Sequence, residues 1–309
     1  MNIVNKRLWY FLIAGVLCIV CIASLSTLGL KTGVEFTSGS ILNISFEKPV
    51  DELALRQEMD KLGYTGILLQ TAGNAGTDYI IRTPALDQAA KNSLIDSLTS
   101  SLGALKVNEF DNISPMIASE TTRNTGIAVV VAVVAMMLYI AFAFRKMPSP
   151  FKYGVCAVVG LAFDLLIALG VFSILGAIRT WQIDLMFVAG ILAILGYSIN
   201  NTVIVFDRIR ENSRRGISQD IEIVANTSII ETLGRSCNTS LTTLFTLFVL
   251  ALFVGASIQN FVIVLIIGTI SGVFTSTFVS PELLVAWQKR EWGTFSGRAN
   301  NMATAKAKS

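Results

Sequence analysis

The sequence contains no histidine, and charged residues are scarce in it. Asp, Glu, Lys and Arg together make up 15% of the 309 residues, whereas a typical soluble domain has about 25%. The lack of histidine excludes a histidine-ligated metal site and removes the side chain that most often transfers protons near neutral pH. Residues 31–125 also contain no cysteine, which excludes a disulfide-stabilised domain there.

Long apolar runs are what the sequence has instead. Hydrophobic residues make up 53% of the chain, and they form six runs of about 18 residues or more, the length at which a helix crosses a bilayer. The pattern predicts an α-helical polytopic membrane protein with six transmembrane helices. The first run is longer than the apolar core of a signal peptide and lacks a clear cleavage site, so we expect an uncleaved span. The six runs are 8–30, 126–144, 153–178, 185–206, 236–254 and 261–280.

A segment of ordinary composition, residues 31–125, separates the first two apolar runs. Its pattern predicts four strands and two helices in the order βαββαβ. This order is typical of an α+β domain of the split ferredoxin-like type. The predicted strands are 41–46, 66–71, 78–83 and 105–113, and the predicted helices are 51–62 and 86–101.

The composition of this inserted domain argues against two classes of function. It has 8 basic and 12 acidic residues, and a net negative domain repels nucleic acid. It shows no glycine-rich phosphate loop, no metal-ligand spacing and no nucleophile–base pair. We therefore expect no nucleic-acid partner, no cofactor and no enzymatic activity, and we interpret the domain as a binding or mechanical one.

The positions of Lys and Arg predict the orientation in the membrane. If the N-terminus is cytoplasmic, nearly all basic residues of the short loops fall on the cytoplasmic side, and Arg179 is the exception. This asymmetry predicts cytoplasmic termini and an extracytoplasmic inserted domain. The predicted organisation is 1–30 for the N-terminus and first span, 31–125 for the extracytoplasmic domain, 126–280 for the other five spans and 281–309 for a cytoplasmic tail.

Asp164 lies near the middle of the third apolar run. A carboxylate at the centre of a span costs roughly 2.5–3.5 kcal/mol on insertion scales, and ionisable residues there usually face a partner or a water-filled path. Two interpretations are open for Asp164: a proton carrier, or a buried hydrogen bond that fixes the packing of the helices.

Two adjacent amides, Asn200 and Asn201, lie in the fourth run. An amide both donates and accepts hydrogen bonds but does not titrate near neutral pH. Hydrogen bonding between helices is therefore the simplest interpretation of Asn201.

A charged segment follows these amides and marks a possible cytoplasmic exit of the fourth span. On one helix, Asp207 can pair with Arg210, and Arg208 with Glu211. Such pairs contribute only a few tenths of a kcal/mol each.

Arg235 opens the fifth span, and three threonines follow it at helical spacing. Thr239, Thr242 and Thr246 share one face with Arg235. Such a stripe predicts contact with protein or water, where Arg235 could bind a carboxylate or polarise a proton relay. An arginine that reaches out to the membrane interface is the alternative.

Three segments resemble the SecD/SecF family of bacterial protein-export membrane proteins. GYSINNTVIVFDRIREN (196–212) is similar to the fourth-span signature of the family, GRSCNTSLTTL (234–244) to its fifth-span segment, and GVEFTSGS (33–40) to the motif after its first span. Six spans with a small domain between the first two also match. The motif residues after the first span are Glu35, Phe36, Thr37 and Gly39.

The resemblance implies a subunit of the bacterial plasma membrane from the RND class of proton-driven transporters. Its implied role is to use the proton-motive force to support preprotein export through the SecYEG channel. One six-span half is incomplete for this class, so a heterodimer with a SecD-like subunit is implied. Unfolded preproteins and the lipid bilayer are the other implied partners. The intramembrane acid of the family matches Asn201, and its arginine matches Arg235.

The sequence departs from the family pattern most seriously at Asn201, because an amide cannot take up and release a proton. Glu35 and Ser38 are milder departures, and Phe163 stands where the family often has histidine. Three alternatives are open. The partner subunit supplies the titrating carboxylate, Asp164 has a larger share in proton transfer, or this subunit has lost direct coupling to the proton gradient. The alternative function is therefore a structural subunit that scaffolds the translocon without its own proton site.

Overall fold

Long helices form a bundle, and a small antiparallel sheet is inserted after the first of them. The structure is a computed structural model, which describes residues 3–65, 67–72, 76–145, 150–179 and 181–289. The predicted tail from residue 290 onwards and Gly66 of the predicted second strand lie outside the described residues.

The helices and strands of the described residues are as follows. The helices are α1 Arg7–Thr27, α2 Val34–Thr37, α3 Glu52–Lys61, α4 Gln88–Leu102, α5 Pro115–Ala143, α6 Pro150–Arg179, α7 Leu185–Arg214, α8 Ile221–Phe253, α9 Ala256–Phe274 and α10 Ser280–Gln288. A π-helical turn, Thr275–Val279, joins α9 to α10. The strands are β1 Gly39–Phe46, β2 Leu68–Ala72, β3 Asp78–Thr83 and β4 Leu105–Ile113.

Six helical segments within the described residues are long and apolar enough to cross a membrane, as predicted. Five of them lie in α1, α5, α6, α7 and α8. The sixth runs continuously from Ile258 to Gln288 and combines α9, the π-helical turn and α10. The chain is therefore a multi-pass membrane protein.

The helices extend beyond the apolar runs that predict them. α5 begins at Pro115 rather than near residue 126, because Ser114 caps a polar first part of the helix by accepting a hydrogen bond from the Ile117 amide. The sequence places residues 281–288 in the tail, whereas α10 packs against α6 and α8. Pro281 in the first turn interrupts the apolar run but not the helix, because proline is tolerated there.

The inserted domain is a four-stranded sheet in the order β2-β3-β1-β4 with all neighbours antiparallel. Alternate residues of β1, Leu42, Ile44 and Phe46, point into its core. Leu55 and Met59 of α3 pack into the same core, as do Leu94 and Leu98 of α4. The βαββαβ order predicted from the sequence is therefore confirmed.

A short backbone pairing ties this sheet domain to the helix bundle. The Ile183 amide donates to the Lys31 carbonyl at 2.8 Å, and the Gly33 amide donates to the Ile183 carbonyl at 2.7 Å. A Cβ on Gly33 would overlap the Glu35 carboxylate and lie 2.9 Å from the Ile183 carbonyl oxygen, so this approach requires glycine. The domain is thus attached directly to the loop that precedes α7.

α7 lies at the centre of the bundle, in contact with α6, α8 and α9. Two glycines of α9 permit its close approach to α7. A Cβ on Gly268 would overlap Ile194, and a Cβ on Gly272 would lie 3.3 Å from the Cβ of Ser198. The two glycines therefore form a small-residue packing face of the kind that brings membrane helices together.

We expect Gly268→Ala to destabilise the bundle by about 1–3 kcal/mol, because the added methyl group overpacks Ile194. Thermal unfolding of the purified protein gives the change. Gly126→Ala in α5 is the matched control, because nothing lies within 4 Å of its added Cβ. Combining Gly268→Ala with Ile194→Ala should recover part of the loss. Equal melting temperatures for the two alanine variants would contradict the close contact of α7 and α9.

Candidate functional site

Asp164 is buried in the middle of the bundle and accepts hydrogen bonds from three hydroxyl groups. The residue is 0% exposed. Ser198 of α7 donates to its Oδ2. Ser271 of α9 and Thr275 of the π-helical turn donate to its Oδ1 at 2.5 and 2.6 Å. Three structural elements therefore converge on one carboxyl group of α6.

These contacts suit a carboxyl group that changes its protonation state. An ionised Asp164 accepts all three hydroxyl hydrogens, and a hydroxyl can rotate to accept a hydrogen bond from the protonated form. Burial of an ionised carboxylate costs several kcal/mol, and hydrogen bonds to the charge offset part of that cost. The geometry is compatible with both sequence-based interpretations, a proton carrier and a packing contact.

Asn201 is buried on α7, and neither its Oδ1 nor its Nδ2 has a hydrogen-bond partner among the described residues. One turn before it, Tyr197 bonds to Ser240 of α8 at 2.7 Å. Because α7 and α8 form an antiparallel hairpin, Ser236 lies one turn from Ser240 at the level of Asn201. The Ser236 hydroxyl is buried and likewise unpartnered in the described part of the chain. The interhelical hydrogen bond suggested for Asn201 is therefore not formed there.

The charged end of α7 is held by ion pairs. Arg210 pairs with Asp207 at 2.6 Å and Arg208 with Glu211 at 2.5 Å, which confirms the predicted pairs. Arg208 also binds Glu231 of α8 at 2.6 Å. The segment predicted as a cytoplasmic exit thus fastens α7 to α8.

The structure does not bring Arg235 to Asp164. Arg235 is exposed on α8, and Thr239, Thr242 and Thr246 are exposed beside it. Each threonine hydroxyl donates to a backbone carbonyl of its own helix. The stripe of Arg235 and the three threonines is therefore a polar surface on a membrane helix, which is costly against lipid.

A second polar cluster, which sequence reasoning missed, lies where the sheet domain meets the bundle. Glu35, Arg82, Asp184 and Asn260 line a cavity of about 270 Å³ there. Asp184 caps α7 by accepting a hydrogen bond from the Phe187 amide at 2.7 Å, and it also accepts one from Asn260 Nδ2 at 2.6 Å. Asp184 directly precedes an apolar run, so its helix-capping preference is the sequence signal that locates it.

The protonation of this outer cluster is shifted by its surroundings. Burial raises the pKa of both Glu35 and Asp184 above the ordinary range. The charge of Asp184 adds to the rise in the pKa of Glu35, and the guanidinium of Arg82 opposes it. Burial lowers the pKa of Arg82, against the pull of the two carboxylates. The cluster can therefore take up protons above the pH at which exposed carboxylates do.

Metal binding is a poor description of this cluster. In the described part of the chain, no three acidic or cysteine side chains are arranged to hold a metal ion. The guanidinium of Arg82 in the same cavity also repels a second cation.

The motif after α1 forms the connection to the sheet, and Glu35 is its member that reaches the cavity. Thr37 Oγ1 donates to the Gly33 carbonyl at 3.0 Å, and Phe36 is half-buried in α2. Gly39 begins β1 with a φ of 140°, and a Cβ on it would lie 2.6 Å from the Thr83 carbonyl oxygen. Only glycine fits this position.

Comparisons with family models and with individual sequences find the same kind of protein. The model for the C-terminal part of the protein export membrane proteins SecD/SecF matches residues 94–290. The protein translocase subunit SecF of Thermobaculum terrenum is 34% identical, over 94% of this chain and 95% of its own length. The same subunit of Anaerolinea thermophila is 33% identical, over 99% of this chain and 100% of its own length.

Solved structures agree with this similarity. SecDF from Thermus thermophilus, a translocon-associated membrane protein, matches with a TM-score of 0.83 and 26% identity, over 94% of this chain and 39% of that chain. SecDF in a super-membrane-facing form matches with a TM-score of 0.67 and 26% identity, over 96% of this chain and 40% of that chain. This chain thus spans about two fifths of the SecDF chains that it matches.

We expect the docking of the sheet domain to weaken as the pH rises. Because docking raises the pKa of Glu35 and Asp184, the docked form binds more protons. The stabilisation of the docked form by these protons is fully present at a pH below the ordinary pKa range of carboxyl groups. It is lost as the pH rises through the raised pKa values. Hydrogen exchange at the amides of Gly33 and Ile183, corrected for intrinsic rates, measures the docking.

Glu35→Gln should reduce this pH dependence, because it removes one of the two titrating groups. Glu52→Gln is the matched control, because Glu52 is partly exposed on α3 and pairs with Arg56. If both variants keep the pH dependence of the wild type, Glu35 does not control the docking.

Proposed function

This chain belongs to the SecD/SecF family of protein export membrane proteins, and on that premise we propose that it works as a SecF-type transport subunit rather than as an enzyme. In this proposal it pairs with a SecD-like subunit and uses the proton-motive force to support preprotein export through the SecYEG channel. Similarity along nearly the whole length of SecF subunits supports the role.

The observation that carries proton coupling is the buried Asp164 with its three hydroxyl donors. A lone carboxyl group at the centre of a span costs roughly 2.5–3.5 kcal/mol and usually has a functional reason. Protonation of Asp164 changes how many hydrogens Ser198, Ser271 and Thr275 must donate to it. The packing of α7 and α9 against α6 therefore responds to the proton.

The exposed stripe on α8 supports a partner subunit. Arg235, Thr239, Thr242 and Thr246 lie on a helix that also exposes large apolar residues, such as Phe245 and Leu252. A charge facing lipid is unfavourable, so this stripe suits a protein neighbour in the membrane. A SecD-like subunit with an intramembrane carboxylate would pair with Arg235.

The distribution of charge supports the proposed orientation in a bacterial plasma membrane. The sheet domain lies beside Ile183, at the start of α7, whereas Arg208, Arg210, Arg214 and Arg215 lie at the other end of that helix. Basic residues favour the cytoplasmic side. The proposal therefore places both termini in the cytoplasm and the sheet domain outside.

One observation favours a second candidate function, a scaffold subunit without a proton site. Asn201 holds the position that matches the acid of the family, and its amide does not titrate. Neither the Oδ1 nor the Nδ2 atom of Asn201 has a hydrogen-bond partner among the described residues, so no contact there explains why the position is an amide. A scaffold would keep the α8 surface for its partner and would not need Asp164 to exchange protons.

Export rates in membrane vesicles, with and without an imposed proton gradient, separate the two functions. We expect Asp164→Asn and Arg235→Ala each to reduce the gradient-dependent part by on the order of tenfold or more, since each removes a group needed for proton transfer. Asn201→Asp should retain gradient dependence, because it adds a carboxyl group.

Matched controls for these variants come from the charged end of α7. Asp207→Asn and Arg214→Ala change the same charges at positions that are exposed, and they should leave the gradient-dependent rate close to that of the wild type. If Asp164→Asn and Arg235→Ala behave like these controls, the subunit is a scaffold.

A further inference from the structure

Two groups of aromatic rings lie inside the bundle, one on each side of Asp164. Towards the charged end of α7, Phe206 packs against Tyr153 of α6 and against Phe144, which directly follows α5. Its ring centroid lies 5.4 Å from that of Tyr153 and 6.1 Å from that of Phe144. Phe144 and Tyr153 stack on each other at 5.4 Å. We call these three residues the inner rings.

The second group lies near the start of α7. The ring centroid of Phe187 in α7 lies 4.4 Å from that of Phe172 in α6, and Trp181 lies 5.9 Å from Phe172. We call these three residues the outer rings. All of these distances are those of directly packed aromatic side chains, so each group joins α6 to α7.

The burial of the rings distinguishes them from the aromatic belts of membrane proteins. Belt residues lie at the membrane surface among the lipid headgroups. By contrast, Phe144, Tyr153, Phe172, Phe187 and Phe206 are at most 2% exposed. These five rings therefore fill the interior of the bundle and do not anchor its surface to lipid.

The spacing of the two groups matches the thickness of a membrane. Tyr153 and Phe172 are 19 residues apart on α6, and Phe187 and Phe206 are 19 residues apart on α7. This number of residues spans about 28 Å of helix, and the hydrocarbon core of a bilayer is about 30 Å thick. The inner and outer rings therefore lie near the two boundaries of that core.

Asp164 and its hydrogen-bond donors lie between these boundaries. Along α6, Asp164 is about 16 Å from the level of the inner rings and about 12 Å from that of the outer rings. Ser198, Ser271 and Thr275 surround it and are also buried. A small polar region is thus enclosed between two apolar groups of rings. Apolar constrictions of this kind exclude water and act as gates in channels.

We propose that the inner and outer rings are two gates in series that control the access of water to Asp164, a role that rests on the proposed proton coupling. In this structure both gates are closed, since Asp164 is 0% exposed. Opening the inner gate connects Asp164 with cytoplasmic water, and opening the outer gate connects it with water outside. Coupling to a proton gradient requires that only one gate is open at a time, because water on both sides would let protons leak.

The two gates are attached to different parts of the molecule, so each has its own means of opening. Tyr153 of the inner rings forms a hydrogen bond with Gln288 at the end of α10. Phe187 of the outer rings donates its amide to Asp184, which also binds Asn260. The outer gate is therefore linked to the docking of the sheet domain, and the inner gate to α10.

Hydroxyl-radical footprinting of the full chain in lipid bilayers tests the inner gate, because it oxidises the side chains that water contacts. Leu161 is the reporter, since it is 3% exposed and lies on α6 between the inner rings and Asp164. Phe206→Ala should raise the oxidation of Leu161 by on the order of tenfold, because it opens the apolar constriction. Phe206→Leu keeps most of the apolar volume, so it should fold if the alanine variant does not, with a smaller rise.

Phe163→Ala is the matched control for the loss of a buried ring. Phe163 is also a buried residue of α6, but it packs with Phe274 in a separate cluster that contains Cys21. This variant should leave the oxidation of Leu161 close to that of the wild type. Cys21 should stay protected in the Phe206 variants, which shows that they are folded. The inner gate is overturned if Leu161 stays protected in the folded Phe206 variants, or if Phe163→Ala exposes it equally.

Proton flux across vesicles that contain the purified chain tests whether the gates act in series. Phe206→Ala and Phe187→Ala should each leave the flux close to that of the wild type, because the other gate stays closed. Combining them should raise the flux by on the order of tenfold. The double leucine variant replaces the double alanine variant if the latter does not fold. Equal flux in the single and double variants would contradict two gates in series.

These experiments are independent of export. Water reaches Leu161 through an opened gate whether or not Asp164 carries protons. Failure of the proposed function is therefore seen separately, as gradient-dependent export that survives Asp164→Asn.

Discussion

A carboxyl group that has no access to water determines how the central helices meet. Because Asp164 is fully buried, its hydrogen bonds must come from the protein, and they come from Ser198, Ser271 and Thr275 on elements that are distant in sequence. The same elements pack closely, since Gly272 lets α9 approach α7 beside Ser198. The apolar packing of α7 against α9 and the hydrogen bonds to Asp164 are therefore parts of the same contact between helices.

The sheet domain is linked to this contact through the start of α7. Its pairing partner, Ile183, and the capping residue, Asp184, directly precede the helix that carries Ser198. Asp184 also binds Asn260 at the start of α9, which carries Ser271. Two helices thus join the outer cluster to the carboxyl group of α6. The sheet domain and two donors of Asp164, Ser198 and Ser271, are therefore connected through continuous helices.

Local sequence patterns predicted the architecture, but they could not predict contacts between residues that are distant in sequence. Apolar runs and strand alternation depend on neighbouring residues, and they gave the six spans and the βαββαβ domain. Asp164 stood out because a charge in a span is rare, but its donors are ordinary serines and threonines on three elements. The burial of Glu282 was not predicted, because Pro281 and the charge of Glu282 end the apolar run. Residues 281–288 were therefore assigned to the tail. The meeting of Glu35 with Asp184 depends on how the sheet domain contacts the bundle, which local patterns do not reveal.

The neutral Asn201 changes where a titrating group must be sought. Its amide cannot hold a proton, and Arg235 has no ion-pair partner among the residues that the structure describes. An exposed arginine within a membrane span pairs with a negative group, faces a water-filled path or reaches out to the membrane interface, and the first of these would require an acid from another chain. Two carboxyl groups that are 0% exposed among the described residues, Asp164 and Glu282, lie on α6 and α10 instead. The exposed cation of this chain and its fully buried acids are therefore divided between the surface of α8 and the interior of the bundle.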